Sequence, residues 1–94
     1  MAPFNTPAIE RLFAAILQLE TQEDCQRFFE DICTIKEIQD ISQRYEVARM
    51  LSQGKNYQEI ARETGASTAT ISRVNKSIQY GAGGYVLALQ RNEK

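Results

Sequence analysis

The sequence predicts an all-α fold of five to six helices that includes a helix-turn-helix. Three observations carry this prediction. Apolar residues recur at spacings of three and four along most of the 94 residues, helix-start and helix-stop residues punctuate that pattern, and no segment alternates apolar and polar as a half-buried strand would. The first helix starts at Thr6 and Pro7, because proline at the first helical position lacks an amide that would otherwise go unpaired. Ile9, Leu12, Phe13, Ile16 and Leu17 form its apolar stripe. Ala14, Ala15 and Leu19 widen that stripe beyond what one neighbouring helix covers, so burial against a second chain is expected.

The next helix opens at Thr21-Gln22-Glu23-Asp24, where the threonine accepts from an early amide and the two acids sit at the positive end of the dipole. Cys25, Phe28, Phe29, Ile32 and Cys33 make up its apolar face. Thr34-Ile35-Lys36-Glu37 has the form of a capping box and starts a longer helix. That helix is expected to direct Ile38, Ile41, Tyr45, Ala48 and Leu51 inward and to stop at Gly54. Asn56-Tyr57-Gln58-Glu59 is a similar start for a fourth helix, and Ser67 caps a fifth. Gly81-Ala82-Gly83-Gly84 then breaks the pattern. Beyond it, residues 85–89 suit a short sixth helix docked through Tyr85, Val86 and Leu89.

The fourth and fifth helices have the spacing of a helix-turn-helix. Ala61 is small where two steeply crossed backbones approach, Gly65 accepts positive φ at the elbow, and Ile60, Ile71 and Val74 interlock beneath it. The segment Ser67-Thr68-Ala69-Thr70-Ile71-Ser72-Arg73-Val74-Asn75-Lys76 is rich in short donors and acceptors, with two cations among them. That is the chemistry of a helix lying in a DNA major groove. Ser67, Thr68, Ala69 and Ser72 are the candidates for base contact. Gln58, Thr70, Arg73 and Lys76 are the candidates for holding register on the phosphate backbone. Tyr57 is expected to pack rather than to touch DNA. A corner of the same spacing also occurs in helical domains that never meet DNA, so a protein-interaction module remains an alternative.

The net charge of −1 conceals a polarity along the chain. Residues 1–40 hold three cations against eight acids, whereas residues 41–94 hold eight cations against four acids. No acid lies between Thr64 and Gly84, so the proposed recognition helix meets a polyanion without like-charge repulsion. The chain has two cysteines and no histidine. Cys25 and Cys33 are expected to be buried free thiols, with no metal site and no cofactor. Without imidazole there is no common general base near neutral pH, and Gly81, Gly83 and Gly84 precede no Lys-Ser or Lys-Thr pair of a phosphate loop, so an enzyme is not expected. No apolar run reaches the ~20 residues of a membrane span and the N-terminus lacks a secretory pattern, so the expected location is cytoplasmic with no membrane partner. The length suits one small domain over residues 1–94, for which a partner subunit supplies additional burial.

Thr34, Gln43-Arg44, Gly54, Gln58 to Ile60 and above all Gly65-Ala66-Ser67-Thr68-Ala69-Thr70-Ile71-Ser72-Arg73 resemble the Trp-repressor-like family. Val74-Asn75-Lys76 and the glycine segment from Tyr80 to Tyr85 are similar to its YerC/YecD branch. The resemblance implies an all-helical homodimer with interlaced N-terminal helices over about residues 6–33 and a helix-turn-helix over about residues 56–79. It also implies a sequence-specific regulator of transcription on double-stranded DNA, a dimeric repressor whose half-sites lie about one helical turn apart. Tryptophan-sensing members hold their ligand between a threonine and an arginine of the core helix and an arginine of the recognition helix. By motif position these are Thr34, Arg44 and Arg73, with Ser77 nearby. The small glycine that follows the recognition-helix arginine in those members is Val74 here, whose isopropyl group fills volume an indole needs; the expected repressor is therefore not tryptophan-responsive. An effector-sensing repressor taking a small anionic or amino-acid-like ligand at Arg44 and Arg73 stays open beside it. Thr34 is adequately explained as a helix cap, and an arginine placed like Arg44 is usually a solvated or i,i+4-paired residue.

Overall fold

The computed structural model describes residues 6–92, and its elements are α1 (Pro7–Leu17), α2 (Gln22–Ile32), α3 (Ile35–Ser52), α4 (Tyr57–Thr64), α5 (Thr68–Tyr80) and α6 (Gly84–Asn92). The fold is all-α, with no strand among the described residues. It divides into two compact units, one ending at Lys36 and the other beginning at Glu37.

In the first unit the predicted caps form. The Thr6 hydroxyl accepts from the Ile9 amide at 3.2 Å, and the Thr21 hydroxyl accepts from the Asp24 amide at 3.0 Å. The Asp24 carboxylate in turn accepts from the Glu20 amide at 3.0 Å, and that backbone bond, helped by the Thr21 hydroxyl, draws its pKa below the ordinary carboxylate value. Phe28 and Phe29 meet edge to face with ring centroids 5.3 Å apart. Neither α1 nor α2 has a buried residue: Phe13 is 46% exposed, Leu17 80% and Ile32 52%. Cys25 is exposed and Cys33 half-buried, both as free thiols, which corrects the expectation that they lie buried. Two helices of 11 residues have too little surface to cover each other's apolar faces.

In the second unit Val47, Ala48, Met50, Ile60, Ala66, Ile71 and Val74 form the buried cluster. Leu51, Tyr57, Ala61, Ile78, Tyr85 and Leu89 close around it. The inward face of α3 differs from the expected one. Ala48 and Leu51 do pack, but Val47 and Met50 are buried beside them, while Ile41 is 49% exposed. The cause is that α3 carries apolar residues on two neighbouring stripes, and spacing alone does not say which one meets the other helices. At α6, Tyr85 and Leu89 dock as expected, whereas Val86 remains 38% exposed. Gly81 ends α5, its amide bonding the Ser77 carbonyl at 2.9 Å; a Cβ there would run into that same carbonyl. The Asn92 amide donates to the Tyr45 hydroxyl at 3.3 Å and to the Ala88 carbonyl at 3.0 Å, tying the end of α6 to α3.

Ile60 is fully buried at the centre of the cluster, so Ile60→Ala is expected to lower the unfolding free energy by about 2–5 kcal/mol in urea titrations. The depressed pKa of Asp24 contributes to the pH dependence of stability. Its unfolded form binds a proton more readily than its folded form, so its contribution is present above about pH 4 and is lost as pH falls through the folded value. Asp24→Asn is expected to narrow the gap in melting temperature between pH 7 and pH 3; an unchanged gap rules that contribution out.

Candidate nucleic-acid interface

The geometry of the corner starts from its caps. At the start of α4 the Asn56 side chain accepts from the Glu59 amide at 2.9 Å and the Glu59 carboxylate accepts from the Asn56 amide at 3.2 Å, a complete capping box. At its end Gly65 adopts φ 74° and ψ 4°, a left-handed conformation that a side chain would strain, and its amide reaches the Ala61 carbonyl at 2.9 Å. The Thr64 hydroxyl donates to the Ile60 carbonyl at 2.7 Å and accepts from the Ala66 amide at 3.1 Å. The Gln43 side-chain amide on α3 donates to the Thr64 carbonyl at 3.1 Å. Ala66, only 5% exposed, turns into the core, and Ser67 then caps α5.

The Ser67 hydroxyl accepts from the Thr70 amide at 3.1 Å and donates to the Thr70 hydroxyl, also at 3.1 Å. Both residues therefore shape the helix start. Ile71 and Val74 lie buried on one side of α5, with Ile78 partly buried one turn on. Thr68, Ala69, Ser72, Arg73 and Lys76 all stand exposed on α5, and Gln58 is exposed on the first turn of α4. An exposed run at positions 68, 69, 72, 73 and 76 is one continuous strip of a helix with 3.6 residues per turn.

The cations of the second unit differ in their partners. Arg49 forms a two-toothed contact with Glu46, and that hydrogen-bonded guanidinium holds the carboxyl below its usual range. Lys55 pairs with Glu63 at 3.5 Å. Arg73 and Lys76 have no ion pair among the described residues. Exposed cations beside short hydroxyls, with no nearby acid in the sequence, suit phosphates and base edges.

The residues of the expected effector frame lie on different elements. Arg44 is half-buried on α3, Arg73 and Ser77 are exposed on α5, and Thr34 belongs to the first unit. A half-open apolar groove of about 230 Å³ lies between α3, α5 and α6, bounded by Leu51, Ile78, Val86 and Leu89; neither Arg44 nor Arg73 lines it. Val74 is 1% exposed in the same cluster as Ile60 and Ile71, the position of an ordinary core residue in a helix-turn-helix. The residues that spacing did not single out are Thr64 and Ala66, together with the bond Gln43 makes. A threonine ending a helix has no distinctive local signature, and a bond spanning 21 positions leaves none at all.

The comparisons with known proteins agree with this geometry. The family model described as Trp repressor protein matches residues 8–93. YerC, an uncharacterized protein of Bacillus subtilis (strain 168), is 55% identical over 83 residues, covering 88% of this chain and 80% of YerC. The crystal structure of a TrpR-like protein from Eubacterium eligens ATCC 27750 superposes with a TM-score of 0.91 at 53% identity, over 94% of this chain and 91% of that one. A solved chain from Staphylococcus aureus gives a TM-score of 0.90 at 51% identity, over 94% and 88%. A glycine elbow, an exposed polar strip on α5 and a match across nearly the whole length converge: this chain belongs to the Trp repressor family, whose members are helical DNA-binding regulators rather than enzymes.

Proposed function

We propose that the chain is a dimeric, sequence-specific repressor that reads double-stranded DNA through α5 and works without tryptophan. The observation that carries this reading is the exposed strip of Thr68, Ala69, Ser72, Arg73 and Lys76 opposite buried Ile71 and Val74. Thr68, Ala69 and Ser72 meet base edges, while Gln58, Arg73 and Lys76 bind phosphates. Ser67 and Thr70, joined to each other, keep the first turn of α5 in place and leave fewer free groups for DNA. Short side chains reach bases poorly, so bridging water and DNA shape supply part of the discrimination.

Dimerisation rests on α1 and α2, whose apolar residues Phe13, Leu17 and Ile32 are left in solvent by the single chain. A two-fold axis then places the two copies of α5 on half-sites about one helical turn apart. Independence from tryptophan rests on Val74, which fills its site with two methyl groups where an indole needs room.

Selection from a random duplex library is expected to recover a two-fold-symmetric site. On that site Arg73→Ala is expected to weaken binding about tenfold and to reduce the salt slope by about 1 for each phosphate the arginine neutralises; unchanged affinity and slope rule out a phosphate bound by Arg73. Calorimetry with tryptophan is expected to give no binding heat, and saturating tryptophan is expected to leave affinity for the selected duplex unchanged. Tight tryptophan binding overturns the second half of the reading.

A further inference from the structure

The geometry points to Gln43 as a positioning residue that, through the Thr64 carbonyl, references the helix-turn-helix elbow to α3 and so sets how α5 is presented to DNA. This inference rests on the DNA-binding reading above. It starts from the orphan carbonyls at the end of α4. A helix leaves its last carbonyls without intrahelical partners. Here Ala61 finds the Gly65 amide at 2.9 Å, and the carbonyl of Thr64 finds the Gln43 side chain at 3.1 Å. A carbonyl only accepts, so the amide of Gln43 must present its NH₂ group, and that fixes the orientation of the side chain.

Thr64 is held on its other side as well. Its hydroxyl bonds back to the Ile60 carbonyl and forward from the Ala66 amide, so the residue is fixed to α4, to the start of the connection and, through Gln43, to α3. Three residues later Ser67 caps the recognition helix. A Cβ placed on Gly65 would lie 4.0 Å from the Gln43 amide nitrogen, so the side chain lies against the elbow itself. The apolar cluster below fixes how deeply α4 and α5 sit, but dispersion and burial are non-directional. The directional contact from α3 to the elbow is this hydrogen bond. It lies beside an open polar trough lined by Gln39, Ser42, Glu46 and Glu63, where loss of the amide lets water take the carbonyl and the elbow rotate.

The test uses the full-length chain with Gln43→Met, which keeps length and volume and removes the donor, and Gln43→Glu, which keeps the shape and presents only acceptors. Two quantities are read. One is amide hydrogen exchange at Gly65 and Ala66 against exchange at Met50. The other is the ratio of affinities for the duplex selected by the wild-type chain and for a generic duplex. Both variants are expected to speed exchange at Gly65 and Ala66 at least fivefold over Met50. They are expected to lower the affinity ratio about tenfold, the size of one net hydrogen bond, with the generic affinity and its salt slope retained. Unchanged exchange overturns the tie to α3. Faster exchange with an unchanged affinity ratio, or equal weakening on both duplexes, overturns the positioning role. A wild-type chain that prefers no duplex overturns the DNA-binding reading instead, and the exchange arm still judges the tie.

Discussion

Burial of Ile60, Ile71 and Val74 against Val47 and Met50 determines the rest of the second unit. Each of these side chains is 2% exposed or less, and full burial of one such group is worth about 1.5–3 kcal/mol. Because α4 has eight residues, too few to be stable alone, its conformation depends on that contact and on its caps. Once Ile71 and Val74 face the core, the 3.6-residue period leaves Thr68, Ser72, Arg73 and Lys76 no position except the surface. The strip that suits DNA is thus the geometric complement of the core.

Electrostatics sharpen the same surface. On α3 and on the connection to α4, Arg49 and Lys55 have carboxylates of their own, Glu46 and Glu63. On α5 no acid follows, so the field of Arg73 and Lys76 is not cancelled locally. Exposed pairs such as Arg49 with Glu46 add little stability. Their consequence is that Arg49 and Lys55 are neutralised locally, whereas Arg73 and Lys76, on the helix that carries the short hydroxyls, have no ion pair among the described residues.

The first unit follows a different logic. Its helices are well capped, at Thr6 and Thr21, yet neither has a fully buried residue. Capping groups settle where a helix begins and have no bearing on what covers its apolar side. The exposed Phe13, Leu17 and Ile32 are what the proposed dimer requires of this segment.

Local chemistry was enough to set the capped helix starts, because proline, threonine, asparagine and glycine act on neighbouring amides and carbonyls within one turn, whereas the sixth helix runs Gly84–Asn92 and not only over 85–89. Thr6, Thr21, Asn56, Gly65 and Ser67 each act where the sequence places them. The interlock of Ile60, Ile71 and Val74 was legible for the same reason, since short spacings on two adjoining helices define a single face. Tertiary structure alone decided which stripe of α3 faces inward, bringing in Val47 and Met50 and leaving Ile41 in solvent, because two adjacent apolar stripes are equivalent until a neighbour chooses between them. It alone decided that Cys25 stays exposed and that Gln43 meets Thr64, since a bond across 21 positions exists only after the chain has folded back on itself.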